Sequence, residues 1–379
     1  MIYLCHISKD ASGLPKAEKS FNFARAIILL TSLLMAPAQT LLISRLSAIG
    51  DVAMVVPLLQ AALERYPHLH LVVLTRPFLR ELFLPLPRTQ VHPVDLQGRH
   101  RGLPGLWRLS QELTDHYPLD GMVDLHDVLR TQVLRRLLHL RGLPVSRLHK
   151  DRAARRRLTR RSHKDRRPAR HSFDLYAEAL ARAGFPVEVD AATAPTLDFS
   201  AFAPTQGWPA LPHPWVGIGP FASRPEKTYP TERIAAVAEA LAQDGLTVWL
   251  FGGAGDRPWF EALVQRHPHL RIAPIDPLRE EMALIQQLDL MVSPDSANGH
   301  LARLVGVPTL SLWGPTHPDA GFRPLGPPEA VHALQMTTGE LACRACFVVK
   351  ARPCYRGDHA CMQRLAASQL EQRIRQLIR

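Results

Sequence analysis

Acidic residues are scarce in this chain. Thirty-four Asp and Glu face 46 Lys and Arg over 379 residues, a formal net charge of +12. A balance this basic implies an anionic partner: nucleic acid, a phospholipid surface or a phosphorylated glycan. Aromatic residues are also sparse, at 7%. That argues against interleaved base-stacking platforms, and so against nucleic acid. Cysteine is rare and uneven, with Cys5 alone and Cys343, Cys346, Cys354 and Cys361 crowded together. A secreted disulfide scaffold would spread its cysteines through a short chain, so the pattern argues against that class. No G-x-x-x-x-G-K-[ST] occurs, which disfavours a P-loop NTPase. No G-x-G-x-x-G follows the first strand, so the dinucleotide fingerprint is missing too.

Long hydrophobic runs are missing as well. The one membrane-like stretch, "AIILLTSLLMAPA" at 26–38, is too short for a transmembrane helix and has the size of a signal peptide, with Lys16, Lys19 and Arg25 upstream. Three readings are open for residues 1–39: a signal-like segment, a short amphipathic extension, or an over-extended start with the true one at Met35. The last is favoured, because a strand-opening domain begins at once at Leu41 and residues 1–25 show no clean period.

What is present is an alternation. "LLISRL" reads as a strand, "DVAMVVPLLQAALERYP" as a helix ending at Pro67, and "LHLVVLTR" and "GMVDLHD" as further strands. "DVLRTQVLRRLLHLRG" is a helix closed by Gly142. Such alternation signals a parallel sheet with crossover helices. A strongly basic segment, 147–170, follows, and then a helical "FDLYAEALARAGFP". The Pro- and Ala-rich stretch 196–214 reads as a linker between a first domain over 40–195 and a second over 215–379. The second domain alternates again: "WVGIGPF", the helix "TERIAAVAEALAQDG" stopped by Gly245, "LTVWLFGGAGD", "REEMALIQQLD", "LMVSPDSANGH" and "PTLSLWGPT". The chain is therefore expected to form two consecutive α/β domains. Ligands would bind at strand carboxyl ends, in the cleft between them.

Three turns of the second domain share one design: an apolar strand, a loop of small residues, then a helix. They are "GIGPFASRPEKTYP", "LFGGAGD" and "VSPDSANGHL". Small residues let backbone N–H groups approach a ligand, and a helix N-terminus favours anions. A phosphate-bearing ligand fits, with Lys227 in the first turn. Each turn taken alone is also compatible with tight packing. In the third, Ser296 or Asn298 is placed to cap the helix that carries His300. There the bland reading, of cap and turn residues beside a packed histidine, stays open.

Four segments, "LLISRLSAIGDVAMVVPLLQAALERYP", "SRPEKTYPTERIAAVAEAL", "VWLFGGAGD" and "SPDSANGHLARLVGVPTLSLWGPTHP", occur in this order. Together they resemble the glycosyltransferase family 9 heptosyltransferases, over essentially residues 40–379. The resemblance implies a GT-B fold: two Rossmann-like parallel-sheet domains facing across a cleft. It implies transfer of heptose from ADP-heptose to a lipopolysaccharide-core acceptor of the lipid A–Kdo type. The transfer is inverting and uses no cofactor and no catalytic metal.

Carried over by position, Asp51 is the general base that takes the proton of the acceptor hydroxyl. Its place at a helix N-terminus favours the ionised carboxylate. Lys227 pairs with the donor diphosphate. Gly219, Ser223, Gly252, Gly253, Asp295, Ser296, Ala297 and His300 form the donor side. Arg45, Ser47 and Gly50 form the acceptor side, Gly50 by allowing the turn before Asp51. The family's usual glycine after Asp-Ser is Ala297 here, Pro294 precedes Asp295, and Tyr229 replaces a common Trp, an exchange expected to affect packing only.

Twelve Lys and Arg within residues 147–170 are opposed only by Asp151 and Asp165. They read either as a solvated face or as a surface that captures the anionic acceptor, with Arg155, Arg156 and Arg157 at its centre. No RNA-binding motif accompanies them. The expected location is the cytoplasm, peripheral to the inner face of a bacterial inner membrane. The spacing C-x2-C-x7-C-x6-C allows a structural zinc, one or two disulfides, or reduced thiols, and the third is favoured. Two rival functions share the architecture: a nucleotide-sugar 2-epimerase, which needs no acceptor domain, and a non-catalytic nucleotide-sugar or lipopolysaccharide-binding relative.

Overall fold

The computed structural model describes residues 38–348 and 352–378. The expectations for the N-terminal extension fall on residues that are, but for 38 and 39, outside those described. The first sheet holds β1 (Gln39–Ser44), β2 (Leu69–Thr75), β3 (Thr89–Pro93), β4 (Gly121–Asp124) and β5 (Val145–Arg147). All are parallel, in the order β3-β2-β1-β4-β5. The second holds β6 (Trp215–Ile218), β7 (Thr247–Leu250), β8 (Leu270–Ile272), β9 (Leu290–Pro294), β10 (Thr309–Leu312) and β11 (Val331–Leu334). It too is parallel, in the order β11-β10-β9-β6-β7-β8. Central strands such as β1, β4, β6 and β9 are covered on both faces, so they read as unbroken apolar runs. The edge strands β3, β5 and β11 are half-exposed and carry polar residues, so they give no such run.

The two sheets are docked tightly. The helix Ile49–Arg65 is apolar almost all round, with buried residues on every side from Val52 to Leu59. A helix that covered only its own sheet would show a polar outer face. Here the outer side is covered by the helix Ala297–Leu304 of the second domain. One apolar cluster consequently runs from Ile43, Val55 and Leu59 to Met282, Leu301 and Leu304. On the other face of the first sheet, Leu42, Val72 and Leu74 pack against Leu106, Leu109, Leu134 and Leu138, from the helices Gly102–His116 and Leu129–Leu140.

Two segments expected to be peripheral are built into this docking. In the 196–214 stretch, the Leu197 N–H donates to the Leu304 carbonyl at 2.8 Å and the Phe199 N–H to Gln286 Oε1 at 2.7 Å. Both side chains are buried, so this part of the linker is pinned to the second domain. The basic segment forms a short helix, Arg152–Leu158, and then crosses to the second domain. There the Ala169 N–H donates to the Asp319 carbonyl at 2.8 Å, and Lys164 Nζ to the Ala345 carbonyl at 2.6 Å. Residues 164–172 are a strap between domains, neither a mobile loop nor a wholly solvated face.

Candidate active site

In a doubly wound sheet, ligands bind beyond the strand carboxyl ends, where the strand order reverses. In the first sheet that point lies between β1 and β4, and in the second between β6 and β9. The turns after β1, β4, β6, β7 and β9 all open into one cleft of about 1350 Å³, lined by both domains.

Asp51 stands in the first turn of the helix that follows β1, with Ala48 as the N-cap. Its Oδ2 accepts the Ala48 N–H at 3.2 Å and lies 2.6 Å from Arg45 Nη2. Its Oδ1 accepts the Tyr176 hydroxyl at 3.1 Å. Burial pushes the carboxyl upward, but the Arg45 charge, the Ala48 amide, His300 and the Tyr176 hydroxyl together outweigh it. The result lies below the ordinary carboxylate range. Asp51 is therefore ionised, and it is oriented by three donors. Beside it the turn after β4 presents His126. Asp124 shapes that turn by accepting the His126 and Asp127 amides, each at 3.0 Å. Burial, with Arg45 and Lys150 nearby, lowers His126 to about 3, so it stays neutral.

Across the cleft, Lys227 Nζ pairs with Asp295 Oδ2 at 2.7 Å, joining the turns after β6 and β9. Ser296 is the N-cap of the helix Ala297–Leu304, but its side chain makes no capping bond and its Oγ is buried without a partner. Neither Ser296 nor Asn298 caps as expected, so no cap side chain satisfies the first amides of the helix. These amides, the orphaned hydroxyl and Lys227 form a cradle for an anion. The turn after β7 is closed by the Gly253 N–H, which donates to Asp256 Oδ2 at 2.8 Å.

His300 lies where the two sides meet. It is buried, its Nδ1 has no partner, and burial lowers it to about 4 against the opposing pull of Asp295 and Asp51. Its ring occupies the space over Gly50, where a Cβ would stand 2.5 Å from His300 Cδ2. This corrects the expected role of Gly50, which is inside the helix and not in a turn. Glycine is needed there so that the two domains can approach.

The cleft gathers most of the residues singled out from sequence: Arg45, Ser47, Gly50, Asp51, Arg155, Ser223, Lys227, Gly252, Gly253, Asp295, Ser296, Ala297 and His300. Three do not line it. A Cβ on Gly219 would overlap the Asn298 side chain, so this glycine serves packing beneath the Asp295 turn. Arg156 is exposed outside the cleft, and Arg157 is paired with Asp165 at 3.1 Å. Arg155 does enter, over the Phe322 ring at 4.1 Å. Arg45 is buried and bonded to Asp51 and the Leu125 carbonyl, so it holds the carboxylate in place from within the cleft wall. Sequence reading missed Tyr176, His126 and Arg76, and took Lys150 only as one cation of the basic run; all four line the cleft. His126 sits in the turn after β4, a position that the switch-point rule marks. Nothing in the sequence ties Tyr176 to Asp51.

Tyr229 packs as expected, its hydroxyl donating to the Leu365 carbonyl at 2.8 Å. Cys343, Cys346, Cys354 and Cys361 form no disulfide. Among the described residues no group of three or more His, Cys, Asp or Glu is arranged to hold a metal ion.

The model of glycosyltransferase family 9 (heptosyltransferase) matches residues 118–351, more than half of the chain. The chain belongs to glycosyltransferase family 9. This family 9 glycosyltransferase is 24% identical over 308 residues to lipopolysaccharide core heptosyltransferase OpsX of Haemophilus influenzae, covering 74% of this chain and 80% of that one. It is 34% identical over 113 residues to lipooligosaccharide heptosyltransferase 2 of the same organism, covering 28% of this chain and 33% of the relative. The second match thus spans a third of the relative's length. Its fold matches that of E. coli heptosyltransferase WaaC with ADP, with a TM-score of 0.64, 16% identity, 89% of this chain and 100% of the other. The enzyme has the GT-B architecture, two parallel-sheet domains with the cleft between them.

Proposed function

We propose that this glycosyltransferase moves heptose from ADP-heptose to a lipopolysaccharide-core acceptor, with inversion. One observation carries the reading: an ionised, triply held Asp51 faces the anion cradle of Lys227, Ser296 and the first amides of the helix Ala297–Leu304 across a single cleft. The likeness to heptosyltransferases, one of them solved with ADP, supports the choice of sugar and nucleotide.

The acceptor hydroxyl attacks the anomeric carbon from the Asp51 side. As the new C–O bond forms, the hydroxyl becomes acidic, and Asp51 takes its proton. The bond from the anomeric carbon to the diphosphate oxygen breaks, and that electron pair leaves with ADP. The growing phosphate charge falls on Lys227 and on the first amides of the helix Ala297–Leu304. A cation and helix amides thereby supply the charge stabilisation, and the proposed reaction uses no cofactor. Because Asp51 is a weakened base, it accepts the proton late, once the attacking oxygen has acquired positive character. The acceptor's anionic groups are met by Lys150, Arg155 and Arg76, which line the same half of the cleft. Work at the inner face of the bacterial inner membrane is part of the proposal. No described helix is long and apolar enough to cross a membrane.

Thermal shift with nucleoside diphosphates tests the donor, and mass spectrometry of an acceptor incubated with ADP-heptose tests the transfer. Stabilisation by ADP and not UDP, with a one-heptose mass gain, is the expected pair of results. A preference for UDP would reject the donor. Epimerisation of the donor alone would reject the reaction.

A further inference from the structure

Among the described residues, the large exposed apolar side chains are Phe78, Leu84, Leu103, Trp107, Leu129, Leu140 and Tyr355. All except Tyr355 belong to the first domain. Leu103 and Trp107 stand one turn apart on the helix Gly102–His116, 67% and 52% exposed. Leu129 and Leu140 are 76% and 82% exposed and bracket the helix Leu129–Leu140. Their spacing separates them by only about 20° around its axis. The two helices pack on each other, and Arg141 lies over the Trp107 ring at 5.2 Å, so the stripes adjoin. Leu129–Leu140 contains no acidic residue, and exposed Arg101, Arg108, Arg130, Arg136 and Arg141 surround the stripes.

Topology relates this face to the cleft. Leu103 follows β3 and Leu129 follows β4, at the strand carboxyl ends, where Asp51 follows β1. Phe78 lines the cleft but stands apart from this pair, since its neighbours Leu79 and Phe83 pack into the core on the opposite face of the sheet. Exposed Leu and Trp ringed by arginines, with acids missing from one whole helix, have the chemistry of an interfacial membrane contact. The apolar groups enter the headgroup boundary, and the arginines meet anionic lipid.

We propose that the helix pair Gly102–His116 and Leu129–Leu140 is the face on which the enzyme rests on an anionic bilayer. This rests on the reading that the acceptor is lipid-anchored, and it deepens that reading by placing the cleft mouth beside the membrane. The basic segment 147–170 is the sequence candidate for this role, but several of its cations are committed elsewhere. Asp165 holds Arg157 and Arg167, at 3.1 and 2.6 Å. Glu178 holds Arg170, at 2.5 Å. Lys164 is bonded to the second domain.

The test is co-sedimentation of the full chain with phosphatidylcholine vesicles, with and without phosphatidylglycerol. The wild-type enzyme is expected to bind the anionic vesicles about tenfold or more tighter, a difference that shrinks at high salt. Leu103→Asp with Trp107→Asp, and separately Arg130→Glu with Arg136→Glu, should each lose about tenfold or more in vesicle affinity. Both should keep ADP binding and turnover on a lipid-free soluble acceptor. Arg160→Glu with Arg161→Glu, in the exposed part of the basic segment ahead of the strap, should bind vesicles like the wild type. The proposal is overturned if the helix variants bind normally, if the basic-segment variant is the one that fails, or if the wild type ignores anionic vesicles. Vesicle binding without transfer to the soluble acceptor would reject the proposed reaction and leave the membrane face standing.

Discussion

Asp51→Asn separates chemistry from binding, and its cost can be worked from the contacts of Asp51. The Arg45 side chain is 7% exposed and that of Asp51 is 21% exposed, so the pair is neither a surface bridge nor a dry one. An exposed pair would contribute under about 1 kcal/mol. Breaking a buried one would cost about 3–5 kcal/mol, because a charge is left uncompensated. The amide keeps one acceptor, and Arg45 keeps the Leu125 carbonyl at 2.6 Å. The expected loss of stability therefore lies between, at about 2 kcal/mol, a fall of a few degrees in Tm. Removal of the proton acceptor should lower turnover by about 10²–10⁴-fold. ADP affinity should not change, because the anion cradle is in the other domain. Calorimetry with ADP, a melting curve and single-turnover transfer give the three numbers on one sample. Turnover within about tenfold of the wild type, in protein that still binds ADP, would refute the base assignment. The pH dependence adds a check. A lowered carboxylate stays ionised above its ordinary value near 3.9, so Asp51 should produce no acid limb in kcat/KM between about pH 5 and 8. Its contribution to stability is present above the unfolded-state value and lost as pH falls through the lowered folded value.

Lys227→Ala removes the cation 2.7 Å from Asp295 and should weaken ADP binding about tenfold to a hundredfold, as for one charge-assisted hydrogen bond; equal calorimetric affinity would count against the cradle. Gly50→Ala forces a methyl to within 2.5 Å of the His300 ring and should cost about 1–3 kcal/mol by overpacking the domain contact, which an unchanged Tm would contradict. His300 is lowered to about 4 in the fold against about 6.5 unfolded, so it should cost stability as pH falls from about 6.5 towards 4, by up to about 3 kcal/mol. His300→Gln should therefore flatten the drop in Tm between pH 7 and 5, and an undiminished drop would remove His300 as its source.

Much of the fold was legible because covered parallel strands must be apolar throughout. "LLIS", "WVGI" and "LMVSP" announced β1, β6 and β9 for that reason. The short edge strands were not legible, since Thr89–Pro93 and Val145–Arg147 have one side in water and no unbroken apolar run. The small-residue turns after β6, β7 and β9 were readable from their glycines and alanines, with one misattribution. Gly219 is small because Asn298 packs on it, and sequence cannot tell a glycine that admits a ligand from one that admits a neighbour.

The local sequence determined the alternation, the two sheets, the carboxylate after β1, and the lysine and acidic turns of the second domain, because each follows from residue type within a dozen positions. Tertiary structure alone decided what Asp51 is bonded to. Its partner Tyr176 lies 125 residues away, and the His300 ring reaches the neighbouring Gly50 only because two helices from different domains pack together. The same long-range contacts drew Lys150 and Arg155 into the cleft, turned a later part of the basic run into a strap, and left a different pair of helices facing outward. Charge content is a property of the chain, but which charges remain available depends on partners that only folding brings within reach.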